Sequence, residues 1–562
     1  MADITKKIED PDKYGKKNRH PLLNLYKATL PLAAIFLLDI LPSRFSLIII
    51  GHVTQDSLAF NSIFLSYSFT NFFSVFVLSL SCGLDTLTKQ QLRNIAYLRY
   101  ALMFVAIGLI PYILCCVFSA SILGGINQPI EIIEQTSLCI NYLILYAICY
   151  IVFAMLRKAL LQYLHTTLLI GFMFARLCIH LMIGYALFYY TQLGFYAFII
   201  SDSLSMCILL IVTGITLSRM INLTKFVTNL CKFSSAKEDG STRSIMGAAP
   251  SGIAVGVGAK AGTEDGAETF HLDSPFHPDS QKPFKQYVSA TLIPGTISCL
   301  EWWAVETFTF LVGALSYSYQ SKENVFFTHA CWASFLLIFQ MPMLGLSVAT
   351  AAIMTKDIRE SKFYPAWYTF IQGLLSVVIY CVVIGILVCL GYDKILNMFF
   401  PIGTYQDLTN DDVLHNSFRY QVMKNSQDIT VLFVISICGY SIAMCFLGLF
   451  VSVGRLARGG TFMLIGYYIF GLVLAIILGY IAEWKFYGIW FGFCSAFLVW
   501  CLLSALYWAC NDWFNEMYTM KEDYDLMERK QKDHRKSHMP TNYGSTQQSG
   551  NTQSKPNSAL LG

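Results

Sequence analysis

About a dozen runs of roughly 20 apolar residues follow one another along the chain, each long enough to cross a hydrocarbon core of ~30 Å. Of its 562 residues only 13% are charged and 55% are hydrophobic, where an ordinary soluble domain carries about 25% charge. The runs are continuous rather than alternating, which fits spanning helices and not the strands of a membrane barrel. They lie at 28–50, 59–82, 99–123, 136–156, 166–189, 193–218, 287–316, 325–354, 363–391, 428–452, 459–483 and 485–512. The expected fold class is therefore an all-α polytopic membrane protein with 12 transmembrane helices.

Lys and Arg are concentrated in alternate connections. The N-terminal tail, Lys89/Arg93/Arg99, Arg157/Lys158, Lys225/Lys232, Lys356/Arg359/Lys362, Arg455/Arg458 and the tail segment ERKQKDHRK share one side. The short connections around 51–58, 124–135 and 190–192 carry none. The positive-inside rule puts both termini in the cytoplasm, in the plasma membrane or an endomembrane. The 17 cysteines form no pair or cluster of metal spacing and read as small packing residues.

Residues 233–283 are rich in Gly, Ala, Ser and charge, cannot bury a core, and read as a disordered linker. The expected organisation is an N-tail (1–27), a six-helix bundle (28–218), a linker (219–286), a second six-helix bundle (287–512) and a disordered C-tail (513–562). The two halves show a duplication. "ATLPLAAIFLLD" from Ala28 matches "ATLIPGTISCLE" from Ala290, an offset of 290 − 28 = 262. The same offset pairs Asp39 with Glu301, Gly51 with Gly313 and Gly83 with Gly345. Six spans per copy make parallel repeats related by a pseudo-two-fold axis along the membrane normal. Asp39 and Glu301 are expected to face the cleft between the halves from equivalent helices.

The stretch "CLEWWAVETF" places two acids and two indoles in mid-membrane. An ionised acid at a helix centre costs on the order of 2.5–3.5 kcal/mol, so two in one helix point beyond packing. Glu301 and Glu306 are five residues apart, about 140° around a helix, and need not share one environment. A carboxylate there holds either a proton or a cation, and competition between the two is the simplest physics of antiport. Trp302 and Trp303 are candidates for cation–π contact with the same ligand, or for helix packing. In the first half, Asp39 and Asp202 are the intramembrane acids. Arg176 and His180 lie one turn apart on one helix face, placed to meet either acid or to relay a proton. Asp85, at the cytoplasmic end of the second span, suggests a structural or gating role.

The residues around this stretch resemble a known family. "PGTISCLEWWAVETFTFLVGAL" resembles the seventh helix of eukaryotic multidrug and toxic compound extrusion (MATE) transporters, with its LEWWxxE pattern. "LPLAAIFLLDILPSRFSLIIIGHV", "GLDTLTKQQ" and "IGYYIFGL" resemble that family's first helix, the element after its second helix, and its eleventh helix. The likeness covers roughly 28–512. It implies two six-helix bundles around a central cavity, alternating access, and export of organic cations or other toxic compounds in exchange for H⁺ or Na⁺. Glu301, Glu306 and Asp39, with Trp302 and Trp303, then become the expected substrate and proton site.

The chain also departs from the family pattern. "TKDIRESK" replaces an NELGAG-like segment, Tyr440 stands where many members carry a tenth-helix acid, and Asp39 stands where Gln is usual. No nucleotide-binding loop, nucleophilic triad or metal site is visible, so the chain is read as no enzyme, without a cofactor and without a nucleic-acid partner. Its expected ligands are a small-molecule substrate and membrane lipids, and its expected state is a monomer. Two other readings stay open. One is an exporter of organic anions or amphipathic metabolites, or a flippase of lipid-linked sugars, on the same fold. The other is a transport-inactive scaffold subunit of a membrane complex.

Overall fold

The computed structural model describes residues 21–86, 95–163, 166–221, 281–318, 322–401 and 418–537. The N-tail before Pro21, most of the linker, and residues 538–562 lie outside this set, as do Lys89, Arg93, Lys225 and Lys232. The described residues fold into helices without strands. The N bundle consists of α1 (Pro21–Val53), α2 (Ser57–Ser79), α3 (Ile95–Val117), α4 (Ile130–Tyr163), α5 (Thr166–Tyr190) and α6 (Tyr196–Ile221). The C bundle consists of α7 (Gln281–Ser318), α8 (Lys322–Arg359), α9 (Phe363–Phe399), α10 (Phe418–Ser452), α11 (Leu456–Ile481) and α12 (Lys485–Cys510).

Each expected span corresponds to one of these helices. Eleven of them are apolar and long enough to cross a membrane by length and composition alone. The twelfth is α7, where Glu301, Glu306 and the neighbouring indoles dilute the apolar character. α7 nevertheless packs along α2, α8 and α12 as a full member of its bundle.

The offset of 262 is visible in the packing between bundles. A Cβ on Gly51, at the end of α1, would lie 1.9 Å from the Phe399 carbonyl oxygen at the end of α9. A Cβ on Gly313, its partner in α7, would lie 1.8 Å from Gln128 Oε1, just before α4. The first helix of each bundle thus presses on the other bundle, at the end of α9 in one case and at the start of α4 in the other. The second pair repeats the pattern: Gly83 abuts Thr291 and Tyr287 of α7, and Gly345 abuts Ala33 of α1. The duplication therefore fixes the seam between bundles twice over, through α2 against α7 and α8 against α1.

The bundles touch near both ends of the seam. Where α1 ends, Phe60 meets Phe327 at 4.6 Å and Phe399 at 6.1 Å, and Gln128 Nε2 donates to the Phe310 carbonyl at 3.0 Å. Where α1 begins, Tyr287 Oη donates to the Leu80 carbonyl at 2.8 Å, and the Tyr26 and Ser376 hydroxyls are 2.9 Å apart.

α11 departs from regular geometry. Ile465–Gly471 and Ile477–Ile481 are π-helical turns, each the local insertion that such turns represent. The first coincides with the "IGYYIFG" motif. It turns Tyr467 into the bundle while Tyr468 Oη donates to the Leu300 carbonyl of α7 at 2.8 Å.

The C-tail corrects an expectation. Residues 513–562 read as disordered, but Trp513–Ser537 forms a helix, α13. Its charge is high, yet Trp513, Met517 and Met520 fall on one face and are buried, with Tyr524 continuing the stripe. Glu516 binds Arg455 Nη2 at 2.8 Å, and the Arg359 guanidinium sits 4.3 Å over the Tyr524 ring. Composition hid a stripe of four apolar positions.

The symmetric glycine contacts make a direct prediction. Gly51→Ala and Gly345→Ala, whose added methyls would meet the backbone of Phe399 and Ala33, overpack the seam and should each lower stability by about 1–3 kcal/mol. Gly171→Ala, where a Cβ meets nothing within 4 Å, should be neutral or stabilising. Thermal denaturation of the purified protein in detergent separates the two classes.

Candidate functional site

Asp39 and Glu301 occupy equivalent places in α1 and α7, and each looks onto the fourth and fifth helices of its own bundle. The expectation that both face the cleft between the halves is thereby corrected: they point into bundle interiors. The reason is helix geometry, because the seam residues Ala33 and Gly295 lie on a different face from Asp39 and Glu301.

The two acids differ in what they meet. Asp39 Oδ2 binds Arg157 Nη1 of α4 at 2.7 Å and accepts from Tyr150 Oη at 3.0 Å. Its backbone carbonyl accepts from Arg176 Nη1 of α5 at 3.4 Å. Arg157 was counted among the cytoplasmic connections; α4 instead continues to Tyr163 and carries Arg157 back to Asp39. Arg176 itself pairs with Asp202 of α6 at 2.6 Å, both essentially without exposure, and Tyr67 Oη donates to the other Asp202 oxygen at 3.0 Å. The Arg176 guanidinium also lies 5.6 Å over the Tyr146 ring. Both N-bundle acids thus carry a built-in arginine. His180 is fully buried, with Ser46 Oγ 3.0 Å from Nε2 and Ser201 Oγ 2.9 Å from Nδ1. Its ring is held by serines and touches neither carboxylate directly.

Glu301 has no such cation. Among the described residues no Lys, Arg or His pairs with it. The phenols of Tyr440 on α10 and Tyr467 on α11 lie within electrostatic range instead. Tyr467 is buried and its hydroxyl has no hydrogen-bond partner among the described residues. Trp500 packs on both tyrosines at 6.2 and 6.1 Å, and its indole N–H is likewise unpartnered. A lone carboxylate beside aromatic rings and unsatisfied hydroxyl and N–H groups is suited to a proton or an organic cation, since rings attract cations through their faces.

Glu306 sits at the seam instead. Its carboxylate accepts from Asn71 Nδ2 of α2 at 3.3 Å and from the Ser68 hydroxyl, and Arg44 of α1 lies in electrostatic range. Arg44 is buried, donates to Ser334 Oγ of α8 at 2.9 Å, and leaves its Nε unpartnered. Glu306 and Arg44 therefore tie each bundle to the other. Trp303 is also committed to the seam: its indole N–H donates to the Phe72 carbonyl at 2.7 Å and its ring stacks on Phe72 at 5.3 Å. Trp302 is half-buried on α7. Asp85 lies on a short helix, Gly83–Thr86, and its side chain is outside the described residues.

Sequence reasoning missed Arg44, Arg157 and the aromatic wall around Glu301. Arg44 was legible as a lone cation inside an apolar run. Tyr440 stood out only as a departure from the family pattern, and Tyr467 and Trp500 were not legible, because aromatic residues are common throughout the spans and packing alone brings these three together.

No protein-family model matches the chain. In sequence it is 26% identical to human Multidrug and toxin extrusion protein 2 over 215 residues, 38% of this chain and 32% of that protein. It is 23% identical to Protein DETOXIFICATION 12 of Arabidopsis thaliana over 492 residues, 86% of this chain and 88% of that protein. For the mammalian extrusion proteins the matched stretch thus spans about a third of their length. Among solved structures, the eukaryotic MATE transporter AtDTX14 superposes with a TM-score of 0.61 at 17% identity, covering 90% of this chain and 99% of that one. The chain has the MATE transporter fold. The inward-facing conformation of a multidrug resistance MATE family transporter gives a TM-score of 0.59 at 10% identity, covering 89% of this chain and 99% of that one. The resemblance carried by LEWWxxE therefore extends over both bundles, and the two-bundle arrangement of the MATE fold is the one the duplication implied.

The buried Arg176–Asp202 pair predicts a large, coupled effect. Arg176→Gln or Asp202→Asn alone strands a buried charge and should cost about 3–5 kcal/mol. Arg176→Met with Asp202→Leu should cost less than either, in a double-variant cycle read by thermal unfolding in detergent.

Proposed function

We propose that this chain is a secondary-active MATE-type transporter that exports organic cations in exchange for protons by alternating access. The observation that carries the reading is the difference between two equivalent acids: Asp39 is neutralised by Arg157, whereas no Lys, Arg or His pairs with Glu301 among the described residues and the phenols of Tyr440 and Tyr467 lie within electrostatic range of it. An acid without an internal cation is the place where an external one, or a proton, balances the charge. Glu301 is thus the shared site for substrate and proton, with Tyr440 and Tyr467 beside it and Trp500 packed on the two tyrosines. Glu306 supports it by tying α7 to α2 and Arg44, so that ligand binding on one face of α7 is felt at the seam on another.

Alternating access would part the contacts between the bundles, among them the Phe60–Phe327 ring contact where α1 ends. The placement of Lys and Arg supports cytoplasmic termini. The names of the relatives, extrusion and detoxification proteins, support a xenobiotic cargo. The N-bundle arginine and histidine do not line an open anion site, because carboxylates, a backbone carbonyl and serine hydroxyls hold them.

The test uses proteoliposomes with an imposed pH gradient and tetraethylammonium as cargo. Wild type should accumulate the cation against the proton gradient, and Glu301→Gln should lose this while remaining folded. A Na⁺ gradient applied without a pH gradient should drive no movement. Absence of movement in wild type under either gradient would favour an anionic or lipid cargo, or the scaffold reading.

A further inference from the structure

A cavity of about 320 Å³ opens on the flank of the seam, between α2 and α3 of one bundle and α7 of the other. It is separate from the Glu301 site: Trp303 closes one end of it, turned about 200° around α7 from Glu301. The walls are carbon, supplied by Phe76, Leu80, Phe104, Val288, Leu292 and Trp303. The floor is the close approach of the helices at Gly295, where a Cβ would stand 2.6 Å from the Ser79 carbonyl oxygen. Polar groups there are already satisfied. Thr291 Oγ1 donates to the Tyr287 carbonyl at 2.8 Å, Ser79 Oγ to the Phe76 carbonyl at 2.6 Å, and the Trp303 indole to Phe72. Nothing in the groove asks for a polar ligand.

The groove opens sideways, towards what surrounds the bundles. Leu292 is 65% exposed and Phe76 40%, so in a membrane the opening faces lipid. Its lining runs along α7 from Val288 to Trp303, about 22 Å at ~1.5 Å per residue. One leaflet of hydrocarbon is about 15 Å thick, half of ~30 Å. On the orientation proposed above, α7 enters from the cytoplasm, so the groove spans the inner leaflet. Its cytoplasmic mouth carries charge. Lys285 is exposed one turn before Val288, on the same helix face as Leu292 and Thr296. Arg99 of α3 stands at the same level, next to Tyr100, whose ring meets Phe284 at 5.5 Å. A cation at headgroup level favours the anionic lipids of the cytoplasmic leaflet.

We propose that this groove is a binding site for an anionic phospholipid of the inner leaflet, with one acyl chain along α7 and the phosphate at Lys285. The lipid bridges α2 and α7, one helix from each bundle, and so stabilises the arrangement of the seam seen here. The inference rests on the proposed orientation and is independent of the transported cargo.

The test places the full-length protein in phosphatidylcholine nanodiscs containing phosphatidylserine with a photoreactive diazirine in mid-chain, and maps the labelled peptides by mass spectrometry. Labelling of 288–303 and 76–80 should exceed that of the exposed face of α9 around Leu375–Val383 several-fold. Thr296→Trp, and independently Leu292→Trp, should fill the groove and abolish the excess; either variant suffices if the other fails to fold. Lys285→Gln should keep the labelled peptides but erase the preference for phosphatidylserine over an equally labelled phosphatidylcholine. Even labelling of α7 and α9, or an excess indifferent to both tryptophans, would overturn the site. Equal labelling by the two lipids in wild type would overturn its headgroup specificity.

Discussion

A charge inside a membrane protein has to be balanced where it stands, because hydrocarbon offers it no water. The buried acids and arginines of these bundles meet that constraint in different ways. Asp202 and Arg176 neutralise one another with almost no exposure. Asp39 borrows Arg157 from a helix that runs about two turns further than its apolar stretch. Glu306 and Arg44 share hydrogen-bond donors and acceptors across the seam. Glu301 alone among them has no counterion, and its neighbours offer polarity and ring faces without charge.

The duplication turns that difference into a comparison. Two copies of one six-helix unit present an acid at the same place, and the seam glycines Gly51, Gly313, Gly83 and Gly345 all sit at close approaches between the bundles. What has changed is the wall opposite the acid. In the N bundle it is Tyr150 with Arg157 and Arg176, and in the C bundle it is Tyr440 with Tyr467, on which Trp500 packs. One copy has become a sealed, self-compensated core and the other has kept an acid in need of a partner. The π-helical turn in α11 belongs to the second: it lets Tyr467 face Glu301 while the next residue anchors α7 through the Leu300 carbonyl.

Much of this was legible in the chain. Apolar runs located every spanning helix, and the acid-to-acid match at one offset revealed the repeat and the seam. Opposite charges in one bundle left Arg176 to meet either Asp39 or Asp202; the structure pairs it with Asp202 and gives Asp39 to Arg157. Other features depended on quantities a sequence does not carry. The direction in which Asp39 and Glu301 face is set by which side of each helix the seam glycines take. Arg157 looked like part of a connection because hydropathy ends a helix where charge begins, although a helix continues as long as its charge finds a partner. α13 looked disordered because four well-spaced apolar residues, Trp513, Met517, Met520 and Tyr524, are outweighed by the charges between them.

The most direct measurement of the central claim is proton release on cation binding, in detergent and under weak buffering, with tetraethylammonium as the ligand. If Glu301 is the acid that exchanges a proton for a cation, wild type releases protons in step with binding. The double variant Asp39→Asn with Arg157→Gln, which removes both members of the compensated pair, should do the same, and Glu301→Gln should release none. Release that persists in Glu301→Gln and disappears in the Asp39/Arg157 double variant would contradict the account and move the exchange site to the N bundle.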